Sequence, residues 1–209
     1  DDGMLTLWGR ANSVNVKKVL WCLEEAAVPY ERIDAGGAFG RLDKPAFRAL
    51  NPNGLVPTIE DGDVVVWESN AIVRYLAARY GAGTLWPEDP AARALGDRWM
   101  DWTLGNLVAP FRDVFWTLVR TPPEQRDMAL VAAGVARCGT PLAIADAALA
   151  ERPFLSGDRL GMGDIPLGAY VYLWFELPIE RSALPHLEAW YRRLAERPAY
   201  RKAVMVPLT

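Results

Sequence analysis

The segment spanning residues 81–90 is rich in glycine and proline, and it divides the 209-residue chain into two parts with different hydrophobic patterns. Glycine and proline at this density interrupt regular structure, so we expect a linker there. Before it, short apolar runs alternate with helical spacing, whereas only helical patterns follow it. The sequence therefore predicts two domains, an α/β domain at residues 1–80 and an all-helical domain at residues 91–209.

The first domain contains four predicted strands, at residues 5–8, 30–33, 58–60 and 64–67. Asp-Gly-Asp at residues 61–63 is typical of a hairpin turn, so the last two strands should pair antiparallel. A helical pattern lies between the first two strands, and a strand-helix-strand unit implies a parallel pair. We predict a mixed four-stranded sheet covered by helices, the last of which is capped by Ser69 or Asn70.

The second domain contains helical patterns at residues 91–119, 124–151, 162–175, 184–195 and 198–204. We expect a bend or break near Pro110 in the first pattern and at Pro141 in the second, because an interior proline removes a backbone hydrogen bond. The apolar runs are all shorter than a bilayer requires, so the sequence predicts no membrane span.

Charge and scarce residue types exclude several function classes. Lys and Arg total 23 against 26 Asp and Glu, so the net charge is −3 and we expect no nucleic-acid partner. The only histidine, His186, restricts any Ser-His-Asp triad, and its place at a predicted helix start favours a structural role. Cys22 and Cys138 form no Cys-x-x-Cys pair, so we expect no disulfide framework, no Cys-rich zinc site and no dithiol redox motif. The acidic N-terminus lacks a signal-peptide pattern, which favours the cytoplasm.

Three short segments carry the polar residues that point to a ligand site. The first, at residues 9–15, joins the first strand to the first helix and contains Ser13 and Asn15. Ser13 fits an ordinary N-cap. The same position suits a hydroxyl that holds an anion, such as a substrate thiolate, at the positive end of a helix. Both interpretations stay open from this segment alone.

The other two segments precede a strand and open a helix. Asn-Pro-Asn-Gly-Leu-Val-Pro-Thr at residues 51–58 predicts a rigid turn, or a turn whose free Val56 backbone groups pair with a peptide ligand. About 5–6% of X–Pro bonds are cis, so the sequence alone favours trans at Val56–Pro57. At the helix start, Glu68 and Ser69 fit capping, or recognition of an amino-acid head group by carboxylate and hydroxyl.

Together these segments resemble the glutathione S-transferase family. The resemblance rests on Ser13 and on the motifs at 51–57 and 68–72. It extends to Asp-Ile-Pro-Leu-Gly at 164–168 and Trp-Tyr-x-x-Leu at 190–194 followed by Arg-Pro at 197–198. It implies a thioredoxin-like N-terminal domain, an all-helical C-terminal domain that contributes the electrophile pocket, and a homodimer.

The resemblance also implies roles for individual residues. Val56 would pair with the cysteinyl backbone of glutathione beside a cis Pro57, and Glu68 and Ser69 would hold the γ-glutamyl end. The loop after the first strand contains neither Tyr nor Cys, so Ser13 matches the serine-type members, among them theta-like, phi-like and nu-like bacterial forms. Asn15 and then Asn12 are further candidate donors to the sulfur, whereas Cys22 lies inside the first helix and is interpreted as a packed thiol.

Several positions depart from the family pattern or stay open. Leu55 stands where many relatives carry Lys or Gln, and Arg41 and Lys44 are the candidates for the glycine carboxylate of glutathione. Arg10 lies beside the predicted site and either faces a ligand or forms a salt bridge. The electrophile pocket is predicted from aromatic residues of the helical domain, which fit core or dimer-interface packing equally well: Trp102, Phe111, Phe115 and Trp116.

The leading hypothesis is a transferase that uses glutathione as co-substrate, without a metal, and directs its thiolate to a small apolar electrophile. A hydroxyl and a helix terminus would lower the thiol pKa, since two pKa units need only about 2.7 kcal/mol. Glutathione-dependent reduction of disulfides or peroxides at the same site is an alternative. A scaffold or ligand carrier that retains the fold without catalysis is another.

Overall fold

The first part of the chain forms a four-stranded mixed sheet in a computed structural model that describes residues 3–209; Asp1 and Asp2, which open the predicted first domain, lie outside them. The strands are β1 (Leu5–Trp8), β2 (Tyr30–Ile33), β3 (Thr58–Asp61) and β4 (Val64–Trp67), in the spatial order β2-β1-β3-β4. The β1–β2 pair is parallel, whereas β1–β3 and β3–β4 are antiparallel. The predicted strands, hairpin and mixed sheet are therefore confirmed.

Three helices accompany the sheet: α1 (Val14–Glu25), α2 (Pro45–Leu50) and α3 (Ser69–Tyr80). The hydroxyl of Ser13 accepts a hydrogen bond from the backbone N–H of Val16 at 3.4 Å, which confirms the N-cap. Every residue of α1 from 16 to 23 is buried, because the helix packs against α3 as well as against helices of the second part of the chain.

The helices of the second part are α4 (Pro90–Asn106), α5 (Val108–Phe115), α6 (Met128–Glu151), α7 (Ile165–Glu176), α8 (Pro185–Ala195) and α9 (Pro198–Ala203). The break predicted near Pro110 lies at Leu107, and Pro110 sits in the first turn of α5, where a missing N–H costs little. A wide turn, Trp116–Arg120, follows α5. The second helix begins at Met128, capped by Asp127, rather than at residue 124.

The break expected in α6 at Pro141 is absent. The helix continues through Pro141, because packing of Leu142, Ala145 and Leu149 into the core outweighs the lost hydrogen bond. By length and composition alone α6 is long and apolar enough to cross a membrane, a test that a core helix also passes. Here it packs along α5 and α8, and the carboxylate of Asp146 caps α8 by accepting the N–H groups of His186 and Leu187.

The centre of the molecule lies where α1 meets α7 and α9. The Trp21 ring packs edge-on against Tyr200 at 4.8 Å between centroids and lies against Gly168, where a Cβ would stand only 2.6 Å from the ring. The guanidinium of Arg197 binds both carboxylate oxygens of Glu25. These contacts fix the helix that opens at Ser13 against the helical part of the chain.

Candidate active site

The register of the sheet brings the three polar segments to one edge. Thr58, the first residue of β3, lies opposite both Trp8 at the end of β1 and Trp67 at the end of β4. The segment after β1, the segment before β3 and the segment after β4 therefore meet there. This arrangement joins residues that are more than 50 positions apart in sequence.

Ser13 and Asn15 occupy the N-terminal end of α1, where unpaired N–H groups face outward. Ser13 accepts from Val16 through its oxygen, which leaves its own O–H free to donate. Capping and anion binding, the two interpretations left open by the sequence, are thus compatible in one side chain. The hydroxyl and the helix end can together stabilise a negative charge placed above them.

The loop at residues 51–57 is held by the side chain of Asn51. Its amide donates to the Leu55 carbonyl at 3.0 Å and to the Thr58 hydroxyl at 3.1 Å, while its oxygen accepts from Asn53. The Val56–Pro57 peptide bond is cis, which the base rate alone did not favour and the family resemblance implied. Within residues 3–209, the Val56 backbone donates to and accepts from no other group, so it is free to pair with a ligand.

The start of α3 differs from the prediction that Ser69 or Asn70 caps it. Glu68 occupies the capping position with a φ of +75°, a strained conformation for a residue with a side chain, and it makes no side-chain cap. Ser69 is the first helical residue, and its hydroxyl donates to Asn15 at 3.4 Å. The buried Ser69 hydroxyl therefore lies beside Asn15, and the exposed Glu68 directly precedes it.

Two lysines behind this site were missed by the sequence reasoning. Lys17 and Lys18 are only 2% and 1% exposed, and the Lys18 ammonium lies 3.5 Å from the Ser69 hydroxyl. Each ammonium also stands 5.0 Å from the ring of a tyrosine on α7. Burial lowers the pKa of Lys18 to about 8, against the opposing attraction of Glu68. Burial and repulsion from Arg120 lower that of Lys17 to about 8.

A cavity of about 340 Å³ opens between the sheet edge and the helices of the second part. Among the predicted site residues, the structure brings these to its wall: Ser13, Asn15, Leu55, Val56, Phe111, Phe115 and Trp116. Pro57, Glu68 and Ser69 adjoin them in sequence or through the Ser69–Asn15 hydrogen bond. The three aromatic residues come from α5 and the turn after it, so both parts of the chain build this cavity.

Four predicted residues lie away from the cavity wall. Trp102 is half-buried on α4 and packs edge-on against the neighbouring Trp99, because its helix lies outside the cavity. Asn12 donates to the Thr209 side chain at 3.0 Å and is thereby turned toward the C-terminal residue. Arg41 and Lys44 are exposed on the loop before α2, and neither lines the cavity.

Three arginines line the cavity, and the sequence reasoning singled out only one of them. Arg10 forms no ion pair with the described residues, so the prediction that it forms a salt bridge is wrong. The other interpretation, that Arg10 faces a ligand, stays open because Arg10 lines the cavity. Arg112 and Arg120 come from α5 and the following turn. No periodicity links positions 10, 112 and 120, so only the tertiary fold reveals this cluster.

The remaining reactive residue types lie elsewhere. Cys22 is fully buried against the Val73 carbonyl, and burial raises its pKa to about 12, as expected for a packed thiol. Cys138 is buried in α6, and its pKa is likewise raised to about 12 by burial. His186 is exposed at the start of α8. Over residues 3–209, no three His, Cys, Asp or Glu side chains cluster as metal ligands.

Comparisons with known proteins agree with this architecture. Residues 3–78 match the family model for the glutathione S-transferase N-terminal domain, and residues 107–198 match that for the C-terminal domain. The chain is 49% identical over 208 residues to glutathione S-transferase GstB of Escherichia coli, covering 99% of this chain and all of GstB.

Solved structures show the same likeness. A theta class glutathione S-transferase from the citrus canker pathogen Xanthomonas axonopodis pv. citri, with glutathione bound, is 62% identical with a TM-score of 0.95, covering 98% of this chain and 99% of that chain. Glutathione S-transferase I from maize, in complex with an atrazine glutathione conjugate, is 26% identical with a TM-score of 0.87, covering 97% of both chains.

Proposed function

The chain belongs to the glutathione S-transferase family, and we propose that it joins the thiolate of glutathione to an electrophilic small molecule held in the cavity between its two domains. In this proposal residues 1–80 bind glutathione, residues 81–90 link the domains, and residues 91–209 supply the electrophile wall. Ser13 is the principal donor to the sulfur, with Asn15 beside it.

One observation supports this proposal above all. The free hydroxyl hydrogen of Ser13, the N-terminal end of α1 and the unpaired backbone of Val56 converge on one cavity. A peptide thiol whose cysteinyl backbone pairs with Val56 would carry its sulfur toward Ser13. Glu68 and Ser69 would then bind the ammonium and the carboxylate of the γ-glutamyl end.

The proposed mechanism needs no group that breaks a bond in the substrate. A thiolate is the nucleophile, and a hydrogen bond from Ser13 together with the helix end favours the thiolate over the thiol. A charge-assisted hydrogen bond contributes about 1.5–3 kcal/mol, which corresponds to about one to two pKa units. Holding the electrophile beside this thiolate replaces an encounter of two free molecules by a step within one complex.

The test begins with glutathione binding, measured by calorimetry, followed by titration of the bound thiol through its thiolate absorbance. Ser13→Ala should raise the thiol pKa by about one to two units and slow conjugation of an aromatic halide near neutral pH. Ser13→Thr keeps both the hydroxyl and the N-cap, so it is the matched control and should retain most of the activity. Thermal unfolding of each variant confirms that it is folded.

Three outcomes would contradict different parts of the proposal. If millimolar glutathione does not bind, the scaffold hypothesis is favoured and both enzymatic functions fail. If Ser13→Ala leaves the thiol pKa unchanged while Asn15→Ala raises it, the donor is Asn15. Rapid reduction of hydroxyethyl disulfide with weak conjugation would favour the reductase alternative, in which bound glutathione supplies the thiol.

We also propose a homodimer in the cytoplasm. The edge strand β4 exposes Val64, Val65 and Trp67, and an exposed apolar edge strand offers a surface on which a second chain can pack or pair. Both cysteines are free and buried, which suits a reducing compartment. Sedimentation velocity at several protein concentrations tests the dimer.

A further inference from the structure

The charge of the cavity wall is unbalanced. Arg10, Arg112 and Arg120 line it, and no Asp or Glu does. Four other cavities on the molecule each contain at least one carboxylate in their walls. The excess of positive charge therefore belongs to this cavity and does not follow from the composition, since the chain carries a net charge of −3.

Some arginines elsewhere in the molecule, though not most of them, have carboxylate partners. Arg74 binds Asp97 and Asp101, and Arg197 binds Glu25. By contrast, Arg112 has no side-chain hydrogen bond or ion pair with residues 3–209. The Arg120 guanidinium donates to the main-chain oxygens of Asn12 and Thr209 and lies 4.8 Å from the ring of Phe115 and of Trp116, with no Asp or Glu side chain among its described partners.

Two of the three arginines, Arg112 and Arg120, lie apart from the proposed glutathione contacts. Arg10 does not, because it packs against Gly36 and Gly37, close to Val56, and it is therefore grouped with those contacts. Arg112 and Arg120 belong to α5 and the turn after it, on the same wall as the aromatic residues. Repulsion from Arg10, added to burial, lowers the pKa of Arg120, so an anion entering here would relieve an unfavourable arrangement of charge.

We propose that the electrophile bound by this cavity carries a carboxylate, or an anion of similar charge, next to an apolar or aromatic body. Arg112 and Arg120 bind the anion, and Phe115 and Trp116 contact the body. A guanidinium can donate two parallel hydrogen bonds to one carboxylate, which fixes its orientation as well as its charge. The small apolar electrophile predicted from the sequence would leave the Arg112 guanidinium without a partner and Arg120 without an Asp, Glu or ligand anion, so the proposed anionic class takes its place here.

This inference rests on the proposed transferase function and specifies its substrate class. With an aryl halide, the glutathione thiolate attacks the carbon that bears the halogen. The carbon–sulfur bond forms, the carbon–halogen bond breaks, and halide ion leaves with the electron pair. The arginines take no part in these bonds, since they position the substrate through an anionic group elsewhere on the ring.

The test compares 4-chloro-3,5-dinitrobenzoate with its neutral carboxamide, which has the same ring and leaving group. Each enzymatic kcat/KM is divided by the uncatalysed rate constant with glutathione, which removes the difference in intrinsic reactivity. The wild type should prefer the carboxylate by about tenfold, because a hydrogen bond between charged groups is worth about a factor of ten or more.

Arg112→Gln should reduce this preference about three- to tenfold while leaving the KM for glutathione within about twofold. Arg120→Gln should act in the same direction. The matched control is Arg137→Gln on α6, an exposed arginine paired loosely with Asp113 at 3.7 Å and outside the cavity wall. It should keep the wild-type preference. Affinities of the two S-aryl glutathione products, measured by calorimetry, give the same comparison without catalysis.

The outcomes distinguish the two levels of the proposal. Equal normalised rates, equal product affinities, or a preference that survives in both arginine variants would overturn the anionic substrate class and leave the transferase standing. Absence of glutathione binding would overturn the transferase itself. Glutathione disulfide is the third substrate: dependence on Arg112 for its reduction, without a carboxylate preference in the aryl pair, would assign the arginines to a second glutathione and overturn this inference.

Discussion

The buried charge of Lys18 makes a quantitative prediction about stability. The side chain is 1% exposed, its nearest polar partner is the Ser69 hydroxyl at 3.5 Å, and its pKa falls to about 8 from an ordinary value of 10.5. Between those two pH values the unfolded chain binds a proton at this position and the folded chain does not. Stability from this group must therefore rise with pH across the interval from about 8 to about 10.5.

The magnitude follows from the pKa shift. Each unit of pH inside the interval contributes about 1.4 kcal/mol, so the contribution grows by about 2–3 kcal/mol between pH 7 and pH 10. Lys18→Met removes this contribution while filling nearly the same volume. At pH 7 we expect the variant to be as stable as the wild type or more stable, because a desolvated charge has been replaced by an apolar side chain. That advantage should shrink by about 2–3 kcal/mol at pH 10.

The assay is urea denaturation of both proteins at pH 7, 8, 9 and 10, at one fixed protein concentration. Other groups that titrate in this range, Cys22 and Lys17 among them, are present in both proteins and cancel in the difference to first order. Lys202→Met is the matched control, since this lysine is 68% exposed and its loss empties no buried site. The difference in the free energy of unfolding between Lys18→Met and the wild type should change with pH. If it stays constant within about 0.5 kcal/mol from pH 7 to pH 10, burial does not lower the pKa of Lys18 to about 8.

Two further predictions concern the framework around the site. Asp164 is fully buried and accepts four hydrogen bonds. Asp164→Ala should therefore lower the free energy of unfolding, measured in urea titrations, by about 3–5 kcal/mol. A loss below about 1 kcal/mol would contradict the stabilising role of these hydrogen bonds. Gly168→Ala should cost about 1–3 kcal/mol because its Cβ meets the Trp21 ring. Gly139→Ala, a helical position with no atom within 4 Å of the added Cβ, should instead stabilise by about 0.5–1 kcal/mol, and equal effects at the two glycines would exclude the steric argument.

Local signals in the sequence were sufficient for the sheet and for the segments that meet at its edge. Alternating apolar residues, the Asp-Gly-Asp turn and Ser13 ahead of an apolar helix each act within a few residues, and the structure follows them. The family resemblance added the cis peptide at Pro57, which no local signal favoured. The roles of the individual site residues stay predictions.

Features set by tertiary packing were beyond the sequence. Pro141 was expected to break α6, but contacts with α5 and α8 hold the helix together. The burial of Lys17 and Lys18 was not predicted, because it depends on packing of α1 against α7 and α9, which come much later in the chain. Arg112 and Arg120 come to line the same cavity as Ser13 only because α5 faces the start of α1 in the folded chain.

The contacts between α1 and α9 set an order of events during synthesis. Arg197 and its partner Glu25 are 172 positions apart, so at 5–20 residues per second a ribosome takes roughly 10–35 seconds to deliver the second after the first. For most of that time the face of α1 that carries Trp21 lacks Gly168, and for all of it that face lacks Tyr200. The helix whose first turn we propose to hold the substrate thiol is thus among the first helices made and among the last to be fully packed.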